Sequence, residues 1–441
     1  MSSHVLVFGC GPLPCEPDGA IMAPGARTWQ IVRTVSSCFS SAEAQRLSVI
    51  CLESATRPPF VARVGSMGAT IYPLGIDDFT ACEKGLRHLP RLQEDPPTAM
   101  VGCASIQPCA TAVATARRLR VPVWADVFGD PIAEVQSAAP TSGQLSPEHE
   151  SQLLHVWSLL QRTLVGADAF STLSGPQRLA LIGQLGCSGR LNSANAGREL
   201  VEVIPFGLWL DEFPTVPPMP STPEFCVLWS GSFNTWTDPE TLAEGMAIAL
   251  LEEPRLHVEV LGGAIARYHE GGYSRFRRGL DRHLAPMERI SLLDWQPYRS
   301  IPAAYARCHA ALSLDRWTYE AVLGSRTRIV HMLAAGRPVV STALSELTQD
   351  MAKSGVLVAV EAGNPRSLAN GLLQLSRMNR TDLDHLSKRC RRVVEEQASA
   401  ANLARAFRAW IVSPRFSADQ TLSPTNALLP YWHEAIQIMT S

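Results

Sequence analysis

Residues 225–242 read FCVLWSGSFNTWTDPETL. The apolar run Phe225 to Trp229 has the length and composition of a buried strand, and it gives way at once to Ser230-Gly231-Ser232. Farther on, Thr237 and Glu240 stand at capping-box spacing, and Pro239 falls in the first turn of a helix opening at Asp238. Strand, glycine turn and capped helix in succession make the first half of a βαβ unit, the building block of parallel sheets. The free N–H groups of such a helix start, with Gly231 allowing close backbone approach, suit a phosphate as well as they suit an ordinary capped helix. Asn234 and Trp236 favour the phosphate, because a plain connecting loop has little need of an amide and an indole two positions apart.

The same alternation extends in both directions. Upstream, strand-like runs stand at Val5 to Phe8, Leu47 to Leu52, Ala69 to Tyr72, Ala99 to Gly102, Val121 to Asp126, Ala169 to Thr172 and Val201 to Ile204, with helical stretches such as Arg27 to Phe39 and Thr111 to Arg120 between them. Downstream the runs are His257 to Leu261, Ile290 to Leu293, Ala310 to Leu314, Pro338 to Ser341 and Val356 to Val360. The predicted fold class is α/β, with two Rossmann-like, doubly wound parallel-sheet lobes facing a cleft. Residues 1–210 form the first lobe and 223–412 the second. Between them, 211–222 carries four prolines and reads as a stiff, extended linker. Ser137 to Ser146 is a polar excursion within the first lobe.

Composition narrows the function. Lys and Arg number 39 against 41 Asp and Glu, and the net charge of −2 with no long basic run excludes a protein that binds nucleic acid mainly through phosphates. The eleven cysteines are scattered without a C-x-x-C pair, so they point to buried thiols in a reducing, cytoplasmic setting rather than to a disulfide framework or a zinc site. No histidine cluster has metal spacing, no metal or cofactor is expected, and no run is apolar enough for a membrane span. Arg267, Arg275, Arg277, Arg278 and Arg282 form a basic stretch that reads as a solvated helix face or as a peripheral contact with a membrane or anionic acceptor.

Ligands of open parallel sheets bind beyond the carboxyl ends of the strands, so the loops there hold the candidates. Gly9-Cys10-Gly11-Pro12 begins like a dinucleotide fingerprint, but Pro14 stands where the third glycine belongs, which disfavours an NAD(P)-dependent oxidoreductase. The long loop running on to Gly25 and Arg27 suits a substrate wall instead. Asp126 and Asp130 follow a strand and face the cleft, and Asp130 is either a base for a hydroxyl or the cap of a turn before Pro131. In the second lobe, residues 319–340 read YEAVLGSRTRIVHMLAAGRPVV. Gly324 ends a loop, Ser325 caps a helix that stops at Gly336, and Arg326 and Arg328 sit at its positive end, where cations are disfavoured. A diphosphate offsets them; pairing with Glu320 or plain solvation is the alternative.

These two second-lobe stretches, with WADVFGDPIAE and STLSGPQRLALIGQLGCSGRLN in the first lobe, resemble a bacterial group of GT-B glycosyltransferases close to glycosyltransferase family four. The resemblance implies a nucleoside-diphosphate sugar, such as a UDP-sugar, bound by the second lobe, and a small-molecule, lipid or glycan acceptor bound by the first. It implies hexosyl transfer with retention and without metal, and a tail, residues 413–441, crossing back to the first lobe, with Pro424 to Met439 the candidate segment. Carried over by position, Glu320 meets the donor sugar, Arg326 and Arg328 the diphosphate, and Gly231, Asn234, Trp236 and Thr237 the opposing loop. Trp295, Pro297 and Tyr298 line the base, with Tyr319, Gly324 and Ser325 beside the donor. The group's two-glutamate signature is altered: Leu323 and His331 stand at those places, His331 where the ribose is usually held. A two-lobed module that binds the donor without turnover is the competing reading.

Overall fold

The computed structural model of the chain describes residues 4–16, 21–39, 46–139, 146–263 and 270–421. Two sheets organise it. The first contains β1 (His4–Cys10), β2 (Arg46–Leu52), β3 (Phe60–Val64), β4 (Met67–Leu74), β5 (Ala99–Gly102), β6 (Val123–Asp126), β7 (Ala169–Thr172) and β8 (Val201–Val203), in the spatial order β3-β4-β2-β1-β5-β6-β7-β8. The second contains β9 (Phe225–Ser230), β10 (Leu256–Leu261), β11 (Ile290–Leu293), β12 (Ala310–Ser313), β13 (Val339–Thr342) and β14 (Leu357–Val360), ordered β11-β10-β9-β12-β13-β14. All pairings are parallel except β3 with β4. Each strand order reverses direction beside its first strand, which opens a crevice at the carboxyl ends.

Every strand expected from the apolar runs is present. β3 escaped the pattern reading because its solvent-facing side chains alternate with its buried ones and Pro58-Pro59 stands directly before it. The helix after β1 runs Ala23–Ser37, so it opens four residues earlier than expected, with Pro24 in its first turn. Central strands are buried on both faces: Val5, Leu6, Val7 and Phe8 are all fully enclosed, as the continuous apolar run requires.

The linker leaves the first lobe through Phe206 and Leu208, which pack with Val216 into a core shared with the second lobe. Its extended form is pinned by Arg337, whose Nη2 donates to the Pro217 carbonyl at 3.0 Å. The chain returns to the first lobe earlier than position 413. Helix Arg405–Val412 lays Phe407 and Trp410 edge-on to Trp124 of β6, with ring centroids 5.1 and 5.7 Å apart. Glu202 of β8 accepts hydrogen bonds from the first free backbone N–H groups of that helix, Ala406 and Phe407, both at 2.8 Å. Residues 405–412 thus belong to the first lobe by packing, a change to the boundary at 412 that only long-range contacts decide. Ser417 and Asp419 continue on the same lobe, against Asp168 and Arg190. Pro424 to Met439, most of the 137–146 loop and Arg267 lie outside the described residues.

The lobes touch around the cleft. Ser137 and Thr235 share a hydroxyl hydrogen bond of 2.6 Å, Arg316 donates to the Ser137 carbonyl at 2.7 Å, Ser174 to the Leu323 carbonyl at 2.6 Å, and the Gly175 N–H to Glu346 at 2.8 Å.

Candidate functional site

Gly231 follows β9 with φ +115°, a conformation that disfavours any side chain. A Cβ there would stand 3.2 Å from Cζ of Arg328, so the absence of a side chain lets the guanidinium lie against the loop. Arg328 comes from helix Thr327–Ala334. Its Nη2 donates to the Ser232 carbonyl at 3.0 Å, and its Cζ sits 5.1 Å from the ring centroid of Trp229. Among the described residues it forms no ion pair. Burial lowers its pKa to about 10; Asp315 counters and Arg326 adds to the fall. A half-buried cation with free donors, at a helix N-terminus and beside a glycine loop, attracts an anion.

The second arginine takes another role. Arg326 is almost wholly buried and bonds to Asp315 through Nε, and to both oxygens of Glu320 at 3.0 and 2.8 Å. Its charge is matched inside the protein, so it does not share the outward-facing role expected for it; it braces the turn under Arg328. The same pairing ties Glu320, whose carboxyl burial pushes up in pKa and Arg326 pulls down. Gly324 is needed here because a Cβ would come within 2.6 Å of Glu320 Oε1. Ser325 caps nothing: the helix N-cap position is Arg326, without a side-chain bond. Likewise Asp238, not Thr237, caps helix Pro239–Glu252, accepting from the Thr241 N–H at 3.0 Å, while Thr237 is buried in a bridge with Asp315. Trp236 stacks over the Arg326 guanidinium at 5.3 Å, and Asn234 accepts from the Ser232 hydroxyl at 2.6 Å. Tyr319 is exposed, its ring 5.3 Å from that of Trp317.

Trp295, Pro297 and Tyr298 follow β11. The Trp295 indole nitrogen is buried with no hydrogen-bond partner among the described residues, a state that costs ~1–3 kcal/mol until an acceptor arrives. His331 donates from Nδ1 to the Thr327 carbonyl at 3.0 Å, which leaves Nε2 facing the Tyr298 hydroxyl at 3.4 Å; burial keeps its pKa low and the ring neutral. Both line a cavity of about 230 Å³ with Trp29, Phe206, Phe213 and Glu212, where the first lobe, the linker and the second lobe meet.

In the first lobe two expectations change. Arg27 is fully buried, and all five of its donors are committed: to Asp126 at 2.9 and 2.7 Å, to Gln30 at 2.8 Å, and to the carbonyls of Pro205 and Ile204. It locks the helix after β1 to β6 and has nothing left for an acceptor. Gly25 serves packing, since a Cβ would lie 2.3 Å from the Pro12 carbonyl oxygen. Asp130 proves to be a cap: Oδ1 accepts from the Ala133 N–H at 2.8 Å and Oδ2 from Gln184 at 2.9 Å. One turn on, Glu134 is a group that sequence pattern did not flag, because nothing in its spacing marks it. Its side chain is exposed, yet the surrounding protein, then Glu320 and Asp130, push its pKa up to about 7.

All eleven cysteines are free thiols. Cys226 and Cys308 stand 3.2 Å apart near Glu259, a convergence that spacing did not show; Glu259 is held by Arg307. Among the described residues, no helix is long and apolar enough to cross a membrane. The basic stretch lies on helix Glu270–Arg282, with Arg277, Arg278 and Arg282 exposed opposite buried Phe276 and Leu280.

No protein-family model matches the chain, and no curated protein sequence does. Solved structures do. Sucrose-phosphate synthase from Thermosynechococcus elongatus superposes with a TM-score of 0.67 at 13% identity, over 93% of this chain and 100% of that one. An E. coli trehalose-6-phosphate structure bound with UDP-2-fluoro glucose gives 0.61 at 12%, over 94% and 100%. Anabaena HepE in complex with UDP and glucose gives 0.59 at 14%, over 93% and 100%. The architecture is therefore the two-lobed GT-B fold of glycosyltransferases.

Proposed function

We propose that this GT-B chain is a glycosyltransferase that moves a hexosyl group from a nucleoside-diphosphate sugar, a UDP-sugar, to a hydroxyl of a small-molecule acceptor held by the first lobe, with retention and without a metal. The observation that carries the reading is Arg328: a half-buried cation with donors to spare, at a helix N-terminus and against a glycine loop. Negative charge builds on the diphosphate as the bond to the sugar breaks, and a preorganised guanidinium in a partly dry cleft stabilises that charge where it develops. The nucleoside extends toward Tyr298 and His331, with the buried indole N–H of Trp295 supplying a donor for it. His331 in place of a carboxylate holds the ribose through a neutral ring rather than an anion. The lobe contacts at Ser137, Ser174 and Gly175 keep the cleft closed around the transferred sugar. The UDP bound in the E. coli and Anabaena structures supports uracil as the base.

The test is a thermal-shift and calorimetric comparison of UDP, GDP and dTDP, followed by UDP release from UDP-glucose. UDP at about 100 times its dissociation constant stabilises the fold by ~2.7 kcal/mol. No stabilisation by any of the three refutes the donor site. Glu320, held by Arg326 rather than aimed free into the cleft, favours a second reading, a binding module: it predicts tight UDP binding with no release from any UDP-sugar across a broad acceptor panel.

A further inference from the structure

Away from the cleft, three side chains of metal-ligating type meet in the second lobe. Cys226 is the second residue of β9, Glu259 the fourth of β10, and Cys308 stands between helix Ile301–Arg307 and β12. β9 lies between β10 and β12, so all three groups are carried by neighbouring parts of one rigid sheet. The two sulfurs are 3.2 Å apart, and they and a Glu259 oxygen all lie within 4.8 Å of one another. Glu259 and Cys308 are buried and Cys226 is half-buried, which gives a small solute one side of approach.

The three groups still have bonding capacity. Among the described residues, each sulfur has only the other as a hydrogen-bond partner. Arg307 donates to both oxygens of Glu259, from Nε at 3.1 Å and from Nη2. A carboxylate has about four acceptor positions, so two remain for a cation while Arg307 fixes the orientation of the group. His309 is close but spent: its Nδ1 accepts the Cys226 N–H at 3.1 Å, and its Nε2 donates to the Pro220 carbonyl at 3.1 Å. It positions the backbone of Cys226 and leaves a fourth ligand to be supplied by water.

We propose that Cys226, Cys308 and Glu259 form a binding site for a zinc ion. Two thiolates and a carboxylate are a donor set that zinc takes in tetrahedral geometry, with water completing the four. Sulfurs on such an ion stand ~3.7 Å apart at a zinc–sulfur distance of ~2.3 Å, so each has to shift by only a few tenths of an ångström. On binding, each thiol gives its proton to solvent and its sulfur bonds the ion as thiolate. The two thiolates, the carboxylate, the divalent ion and Arg307 then carry no net charge together, the condition under which charges tolerate burial. Cys226 lies four residues before Ser230, ~13 Å along β9 from the start of the Gly231 loop, so the ion takes no part in sugar transfer. It fastens β9 and β10 to the end of helix Ile301–Arg307, whose other end follows directly on the Tyr298–Ser300 turn at the cavity.

The experiment uses the full chain, purified in a phosphine reductant, stripped with EDTA and reloaded with zinc(II) or cobalt(II) at ~10 μM. Wild type is expected to hold about one zinc per chain after gel filtration, to melt a few degrees above the stripped chain, and to show thiolate-to-cobalt charge transfer in the near ultraviolet. Zinc is expected to slow alkylation of Cys226 about tenfold or more by peptide mass mapping, while exposed Cys187 reacts as before. Cys226→Ser and Cys308→Ser are expected to lose the cobalt band, and Glu259→Gln to weaken zinc binding ~10–100-fold, each with a wild-type far-ultraviolet spectrum. Where a serine variant fails to fold, the protection of Cys226 in wild type decides. A wild-type chain that takes up no zinc, or one whose Cys226 reacts equally fast with and without it, overturns the site. So does zinc held undiminished by both serine variants, which places the ion on other side chains, and so does a Cys226–Cys308 disulfide found in the zinc-loaded chain.

Discussion

Replacing Arg328 with methionine should move stability and ligand affinity in opposite directions. In the free protein burial holds the guanidinium below its ordinary value, at about 10, a penalty of ~3 kcal/mol at ~1.4 kcal/mol per tenfold change in proton affinity. Screening at its half-open rim reduces this to ~1–3 kcal/mol. Because its pKa is lowered on folding, the penalty is complete below pH ~10, where folded and unfolded chains both carry the charge, and it fades only above that. Methionine keeps much of the apolar contact with Trp229 and removes the unpaired charge. The free Arg328→Met protein should therefore unfold later in urea at pH 7, by ~1–3 kcal/mol. The same change removes charge-assisted donors from the diphosphate, each worth ~1.5–3 kcal/mol, and should raise the UDP dissociation constant ~10–150-fold. Denaturant unfolding and calorimetry read the two effects separately. A variant that is less stable than wild type and binds UDP unchanged would show that Arg328 is an ordinary packing residue, and the donor site would have to be sought elsewhere.

Three further outcomes follow from the geometry. Arg27→Met strands Asp126 in the core and should cost ~3–5 kcal/mol of stability in denaturant; a loss below ~1 kcal/mol would return Arg27 to the acceptor side. Gly231→Ala must hold φ +115° with its Cβ 3.2 Å from Arg328, so UDP affinity should fall about tenfold while the far-ultraviolet spectrum stays the same. Asp130→Asn keeps the cap, so UDP release from UDP-glucose should stay near wild type with stability within ~0.5 kcal/mol; a hundredfold fall in rate would make Asp130 part of the chemistry.

The fold was legible because buried parallel strands are continuous apolar runs whose neighbours in sequence are helices, and both signals are local. β3 was not, since its exposed alternation resembles a loop without the β4 partner that completes it. The site was half legible. Gly231 and Arg328 could be found from a glycine after a strand and cations at a helix start. Which of the two arginines faces outward could not, because that depends on Asp315, which lies eleven positions before Arg326 and reaches it through the turn of the chain. Arg27 and Asp130 look free in a string of letters. Their partners, Asp126 and Gln184, sit 99 and 54 positions away and take up their hydrogen-bonding capacity.

Sequence by itself determined the two α/β lobes, their linker and the strand ends at which a ligand would meet the protein, because periodicity and turn chemistry act over a few residues. Tertiary structure alone decided which charges remain unspent. A carboxylate or guanidinium keeps or loses its reactivity according to what lies within about 3 Å of it, and at Arg326, Glu320, Arg328 and Glu134 those neighbours are set by the packing of one lobe or by the meeting of both.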